Sequence, residues 1–364
     1  MRRCGRCAIR RLEPERVLVY CFLRHIRGNR LKAIFYRKFG ERDVLEFGEM
    51  PEPTPQEKQL LIEVERSSVN YVDIRERQGT YNRPETHGSG IELPHIPGLQ
   101  AVGRVTAAGS PADKGWVGKK VLAYTPKGGG YAQFAIAEAN FCIEIPESQE
   151  PDLFAALPNQ GLTAYLLLTA STKVAPGESV LVQGASGGVG SLAIQIAKIL
   201  GAGTVLGTAS TSKKHDFIRS LGADDAIDYT TDNWPQAVLE KTGGFGVDIL
   251  LESIGGDIFE KNFECLAPFG RCIIFGSTRG PGQPFAPRRL MQKSQTLTGF
   301  YLPVFLAKPD LIHQGMEFLV RATADKKLTP SIARVLSLSE TAEGHRLLED
   351  REVQGTILLD TTNL

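Results

Sequence analysis

The stretch VLVQGASGGVGSLAIQIAKIL, residues 180–200, constrains the fold more than any other part of this chain of 364 residues. Three apolar residues, Val180, Leu181 and Val182, run into a glycine-dense turn. Val189, Leu192, Ile196 and Leu200 then recur at the spacing of one helix face. The segment predicts a strand, a tight loop and a helix. The loop spells Ala185-x-Gly187-x-x-Gly190, the dinucleotide-binding fingerprint with alanine in place of the first glycine. Each small residue answers a need: the turn must be tight, the backbone must approach a pyrophosphate, and the helix must pack on the strand. Free amides at the helix start, from Gly188 and Val189, would face phosphate oxygens at the positive end of the helix dipole. A glycine turn that binds nothing is the plain alternative, and the strand before it and helix after it weigh against that.

Residues 204–208 stand where the second strand of a βαβ unit belongs. In NAD-binding chains that strand ends in an acid that grips the ribose 2′-hydroxyl. Here the sequence continues Ala209, Ser210, Thr211, Ser212, Lys213, Lys214, with no acid. Hydroxyls and lysines bind a 2′-phosphate through charge-assisted hydrogen bonds, where an acid would repel it. The pattern therefore favours NADPH over NADH. A local use competes with this one, in which Ser210 caps a helix beginning near Lys213 and the lysines face water.

On either side of this unit the character of the chain differs. From residue 31 to about 146, short apolar runs such as 31–36 and 60–64 alternate with Gly and Pro turns, which predicts a mainly β domain. The segment from Leu153 reads as helical on both sides of Pro158. Strand-like runs then recur near Val180, Thr204, Ala226, Val247, Arg271 and Thr296, separated by helix-length stretches such as 213–221 and 258–266. That alternation predicts an α/β fold with a doubly wound parallel sheet. Beyond it come a helix at 311–324 and strands near Arg334 and at 355–359, a tail expected to return to the first domain. The expected organisation is an extension at 1–30, a β domain from 31–153 and 300–364, and a nucleotide-binding domain at 154–299.

A net charge of +1 gives no reason to expect nucleic acid as a partner, and no apolar run reaches the length of a membrane span. The six cysteines are scattered and suit a reduced compartment. Residues 1–30 hold nine arginines, no lysine, and only Glu13 and Glu15 as acids. They read either as a disordered extension or as a mitochondrial presequence, although serine, common in presequences, is missing. The expected location is cytoplasmic, or mitochondrial if that segment is a presequence. Cys4-x-x-Cys7 lacks a second pair at usable spacing for zinc.

Several stretches in order carry a family resemblance: SSVNYVDIRERQGTY, IPGLQAVGRV, GGGYAQFA, NQGLTAYLLL, the glycine loop and FGSTRGPGQPFAP. Together they resemble the medium-chain dehydrogenase/reductase superfamily, and within it the quinone oxidoreductases that include zeta-crystallin, from about residue 31 onward. The resemblance implies a GroES-like β domain completed by the C-terminal segment, with a Rossmann domain inserted, and a homodimer. Zinc enzymes of the superfamily carry Gly-His-Glu where this chain has Gly98-Leu99-Gln100. Leucine cannot ligate, no cysteine lies between Cys21 and Cys142, and His87 and His95 sit in a proline-rich loop, so no zinc is expected.

Without a Lewis acid, hydride delivery to an electron-poor carbon is easier than alcohol oxidation. The resemblance then implies an NADPH-dependent reductase of a quinone or α,β-unsaturated carbonyl. An enoyl-thioester reductase, or a protein that keeps NADPH without turnover, are the other readings. By the same resemblance Asn70, Asp73 and Tyr81 line the active cleft. Asn70 would donate a hydrogen bond, Tyr81 would bind the carbonyl or supply a proton, and Asp73 would orient its neighbours. Each also has a plain structural use, as strand end, helix cap and domain-seam packing. Arg75 stands where some relatives have tyrosine. On the cofactor side the resemblance adds Thr163, Lys214 and Tyr229, with Ser210, and places Gly276 and Ser277 near the nicotinamide. Tyr229 reads equally well as a packed aromatic.

Overall fold

The computed structural model describes residues 30–80, 90–282 and 284–364. In the first part, short apolar runs interrupted by Gly and Pro form β1 (Arg30–Phe35), β2 (Glu46–Pro51), β3 (Gln59–Val69), β4 (Gln100–Ala108), β5 (Lys120–Tyr124), β6 (Phe134–Glu138) and β7 (Cys142–Glu144). β3 runs well past the expected 60–64 because buried residues continue to Val69 on the side that meets the rest of the chain. It pairs antiparallel with both β4 and β6.

The fingerprint unit folds as its periodicity implies. The apolar triplet is β8 (Val180–Val182), wholly buried, and the helix is Gly188–Ile199, whose inward face includes Leu192 and Ile196. Five more strands follow: β9 (Val205–Ala209), β10 (Asp225–Asp228), β11 (Val247–Glu252), β12 (Leu266–Ile274) and β13 (Thr296–Gly299). All pair parallel, in the order β10-β9-β8-β11-β12-β13. This is the doubly wound order with its reversal between β8 and β11, where such sheets open a binding crevice.

One expected helix is cut short. Residues 258–266 give only a 3₁₀ turn at Gly256–Ile258 and a brief helix at Asn262–Cys265, with β12 starting at once. The buried Glu252 carboxylate explains it. It takes the amides of Ile254 (2.6 Å) and Gly255 (2.7 Å) and the side chain of Asn262, so the chain wraps around the acid. Near Pro158 the helical path is not broken but widened. A π turn, Leu157–Gly161, joins the helices Pro151–Ala155 and Leu162–Leu166, and the Gly161 amide reaches back to the Ala156 carbonyl. Proline fits there because no helical N–H is asked of it.

After a long helix, Pro309–Ala324, the tail returns through β14 (Ile332–Ser337) and β15 (Thr356–Asp360), as expected from the sequence. β15 lies antiparallel on β3, which completes the sheet β14-β15-β3-β4-β5-β7. One core spans both lobes, joining Leu99, Leu122 and Tyr124 to Val180, Val182 and Leu192. The tail also touches the glycine loop directly: the Gly355 amide donates to the Ser186 carbonyl (2.8 Å), and Gly187 bridges Gly355. No helix among the described residues is long and apolar enough to cross a membrane.

Candidate active site

A cavity of about 410 Å³ opens between the lobes at the carboxyl ends of β8, β9, β11 and β12. Its floor is the glycine loop, with Gly187 extended as N-cap and Gly188, Val189 and Gly190 in the first helical turn. The loop is packed too closely to carry side chains at two of its glycines. A Cβ on Gly190 would lie 2.5 Å from the Gly184 carbonyl, and one on Gly188 would lie 2.2 Å from Oε1 of Gln160. Ala185 does not line the cavity. It is fully buried beneath the loop, where its methyl packs against the helix and the backbone of Gly207, so its part in the fingerprint is packing.

Beyond β9 the wall holds Ser210, Lys214 and Tyr229. Ser210 is not the helix cap. Thr211 takes that place, in extended backbone, its hydroxyl accepting the Lys214 amide (3.4 Å), which leaves Ser210 facing the cavity. Lys213 is exposed outside it. Lys214 crosses to the tail, its Nζ donating to the Arg351 carbonyl (2.8 Å). Burial lowers the Lys214 pKa, and the nearby Arg351 charge lowers it further. Arg351, which also lines the cavity, reaches the Thr278 carbonyl with its guanidinium (3.3 Å). This second cation escaped the sequence reading because it lies far along the chain with no local motif. Tyr229 sits on the wall with Arg279 over its ring (6.0 Å) and packs on the adjacent core. Gly276 and Ser277 line the cavity after β12, and Thr163 lines it from the helix Leu162–Leu166.

From the β lobe comes the helix Tyr71–Arg77, capped by Asn70. Asn70 lines the cavity but is 3% exposed, and its amide is already engaged. Nδ2 donates to Ser68 O (3.1 Å) and Asp73 Oδ2 (3.2 Å), while Oδ1 accepts from Asn159 and Gln160 (3.1 Å each). Gln160 in turn accepts from Thr356 of β15 (2.5 Å), so Asn70 ties helix, π turn and tail together. Asp73 lies below the wall, fully buried, accepting the Asn70 amide (2.7 Å) and the Tyr131 hydroxyl (2.7 Å). Burial pushes its carboxyl up to about 6 against those donors. Tyr81 and His87 lie outside the described residues.

Leu99 lines the cavity, and Gln100 sits behind it. The Gln100 amide donates to Ser68 and to the Ala155 carbonyl and accepts the Asn159 amide (3.1 Å), so it braces the joint between the lobes. Burial lowers the His95 pKa to about 4. No group of three or more His, Cys, Asp or Glu side chains is arranged to hold a metal among the described residues. The remaining wall, not foreseen from sequence, includes Glu76, Tyr124, Phe300 and Tyr301.

A doubly wound parallel sheet with a glycine loop at its reversal, faced by a β lobe that its own tail closes, defines a two-lobed dehydrogenase/reductase. Comparison with known proteins agrees. The family model for an alcohol dehydrogenase GroES-like domain matches residues 56–147, and that for a zinc-binding dehydrogenase matches residues 188–320. A 2-haloacrylate reductase of Burkholderia sp is 31% identical over 340 residues, covering 90% of this chain and 98% of that protein. A quinone oxidoreductase of Homo sapiens is 32% identical over 316 residues, 86% of this chain and 93% of its own. The structure of Escherichia coli quinone oxidoreductase complexed with NADPH matches with a TM-score of 0.83 at 28% identity, over 90% of this chain and 99% of that one. The chain belongs to the medium-chain dehydrogenase/reductase superfamily, among the relatives that include its quinone oxidoreductases.

Proposed function

We propose that the chain is an NADPH-dependent reductase that directs hydride to carbon of a quinone or an α,β-unsaturated carbonyl. The observation that carries the cofactor choice is the wall beyond β9, where Ser210, Lys214 and Arg351 gather around open space and no acid is present. Two neighbouring cations with no anion between them fit a phosphate. The loop beside it is packed too closely for side chains at Gly188 and Gly190, which lets its backbone line the cavity. Relatives with the same fold include a mycobacterial protein and the E. coli quinone oxidoreductase, both solved with NADPH.

NADPH supplies the hydride, and the chain supplies position. Gly187, Gly188, Val189 and Gly190 would hold the pyrophosphate, Ser210 and Lys214 the 2′-phosphate, and Gly276 and Ser277 the approach to the nicotinamide. Thr163 and Tyr229 complete that wall. Asn70 fixes the joint between the lobes, and Asp73 fixes Asn70. Leu99, Phe300 and Tyr124 offer an apolar bed that excludes water from an electron-poor acceptor. Tyr81 remains a candidate for binding the acceptor oxygen. With Leu99 and Gln100 where zinc enzymes of the superfamily carry His and Glu, and no metal-holding group among the described residues, this reading assigns no step to a zinc ion.

The test is NADPH oxidation, followed by absorbance, with a panel of quinones and enones and NADH in parallel. Turnover at least tenfold faster with NADPH supports the reading; NADPH binding without turnover of any acceptor refutes it.

A further inference from the structure

The helix Tyr71–Arg77 turns one more carboxyl toward the cleft. Glu76 lines the cavity from the last turn, and among the described residues its side chain has no hydrogen-bond or ion-pair partner. Its neighbours on the helix are occupied. Arg77 is locked by Glu349 (2.6 Å) and His345 (3.1 Å), and Arg75 bonds Gln78 (3.3 Å). A carboxyl left unpaired on a cavity wall costs stability unless a ligand uses it or it stays neutral.

Two phenols share that wall. Tyr124 ends β5, Tyr301 follows β13 from the other lobe, and both line the same cavity and sense the Glu76 charge. Tyr36 and Tyr131 feel it from behind, and Asp73 faces it along the helix. Burial first, then the Asp73 charge, pushes the Glu76 carboxyl up to about 8. At neutral pH this group therefore carries its proton on the wall of the cavity.

We propose that Glu76 is the proton donor that completes reduction of an α,β-unsaturated carbonyl in this cleft, an assignment that rests on the reductase reading above. Hydride brings its electron pair to the β-carbon, and the C=C π pair shifts toward the carbonyl to give an enolate. The O–H bond of Glu76 then breaks, its proton bonds to the enolate oxygen, and the enol tautomerises to the saturated carbonyl. The carboxylate left on Glu76 takes a proton from water. The sum is one acceptor, one NADPH and one proton converted to reduced product and NADP⁺.

Steady-state kinetics with an enone, across pH 6–10 and in H₂O and D₂O, test this on the wild type, Glu76→Gln and Glu76→Asp. NADPH affinity, read from its fluorescence, and thermal melting establish that each variant is folded. In the wild type, kcat falls above about pH 8 as the carboxyl ionises. Glu76→Gln lowers kcat by roughly 10²-fold or more, as loss of a positioned acid does, with the alkaline limb gone, a solvent isotope effect retained because the proton now comes from water, and NADPH affinity within threefold. Glu76→Asp recovers part of the rate with the limb displaced. A Gln variant that keeps the wild-type rate or the same alkaline limb overturns the assignment and leaves the reductase reading intact. If Glu76→Gln does not fold, an Asp variant with an unmoved limb overturns it equally. No enone turnover by the wild type, despite NADPH binding, overturns both.

Discussion

Lys214→Ala separates two jobs that one side chain is placed to do. Its Nζ now donates to the Arg351 carbonyl (2.8 Å), which ties the wall beyond β9 to the tail. The same tail holds the glycine loop through the Gly355 amide, so an untied tail would disturb the pyrophosphate cradle and weaken NADPH and NADH alike. The other job is charge. Arg351 and burial both depress the Lys214 pKa, so the ammonium is held at a cost that an incoming phosphate dianion would relieve. A hydrogen bond to a charged group is worth about 1.5–3 kcal/mol, which is roughly 10- to 150-fold in affinity. Lys214→Ala should therefore weaken NADPH by that factor and change NADH by less than about threefold. Lys214→Gln keeps a donor for the Arg351 carbonyl but no charge, and should show the same selective loss. Fluorescence titration of both cofactors at two salt concentrations measures it, with the wild-type preference shrinking as salt rises. Equal loss for the two cofactors, or none for NADPH, would refute the phosphate role and leave Lys214 as a tail clamp.

Two further outcomes follow. Gly190→Ala puts a methyl against backbone, 2.5 Å from the Gly184 carbonyl and 2.7 Å from the Ala185 Cα, so urea unfolding should show a loss of about 1–3 kcal/mol or more together with failed NADPH binding; Gly188→Ala meets Oε1 of Gln160, which Thr356 and Asn70 hold in place, and should cost stability by displacing that junction. For Glu76 the sign is fixed by its raised pKa: the folded chain keeps a proton that the unfolded chain releases above its ordinary 4.5, so wild-type stability relative to Glu76→Gln should fall by up to about 1.4 kcal/mol per pH unit between that value and about 8. Asp73, raised to about 6, adds a slope of its own and is coupled to Glu76 through its charge, so the difference reads the pair, which urea titrations at pH 5.5, 7 and 8.5 would follow.

What the sequence discloses divides by range. The β8 triplet and the helix after it need only local periodicity and local glycines, so they were readable to within a residue or two, as were β14, β15 and the return of the tail. Where a local rule leaves neighbours equivalent it fails by small steps: Ser210 and Thr211 are both good caps, and only the extended backbone at Thr211 assigns the cap there and frees Ser210 for the cleft. Where a distant group intervenes it fails outright. Residues 258–266 have helical length, but the buried Glu252 takes the amides of Ile254 and Gly255 just before them and the side chain of Asn262 within them. Arg351 stands 137 residues from Lys214 and meets it only because β15 closes the first sheet. Glu76 is the sharpest instance. Between Arg75 and Arg77 on a short helix it reads as one more solvated charge, and the sequence around it carries nothing to the contrary. It shares its cavity wall with Tyr124 at the end of β5 and Tyr301 after β13, that is, with both lobes at once. The glycine loop announces that a nucleotide binds. The chemistry done beside it depends on side chains whose surroundings exist only after the two lobes have met.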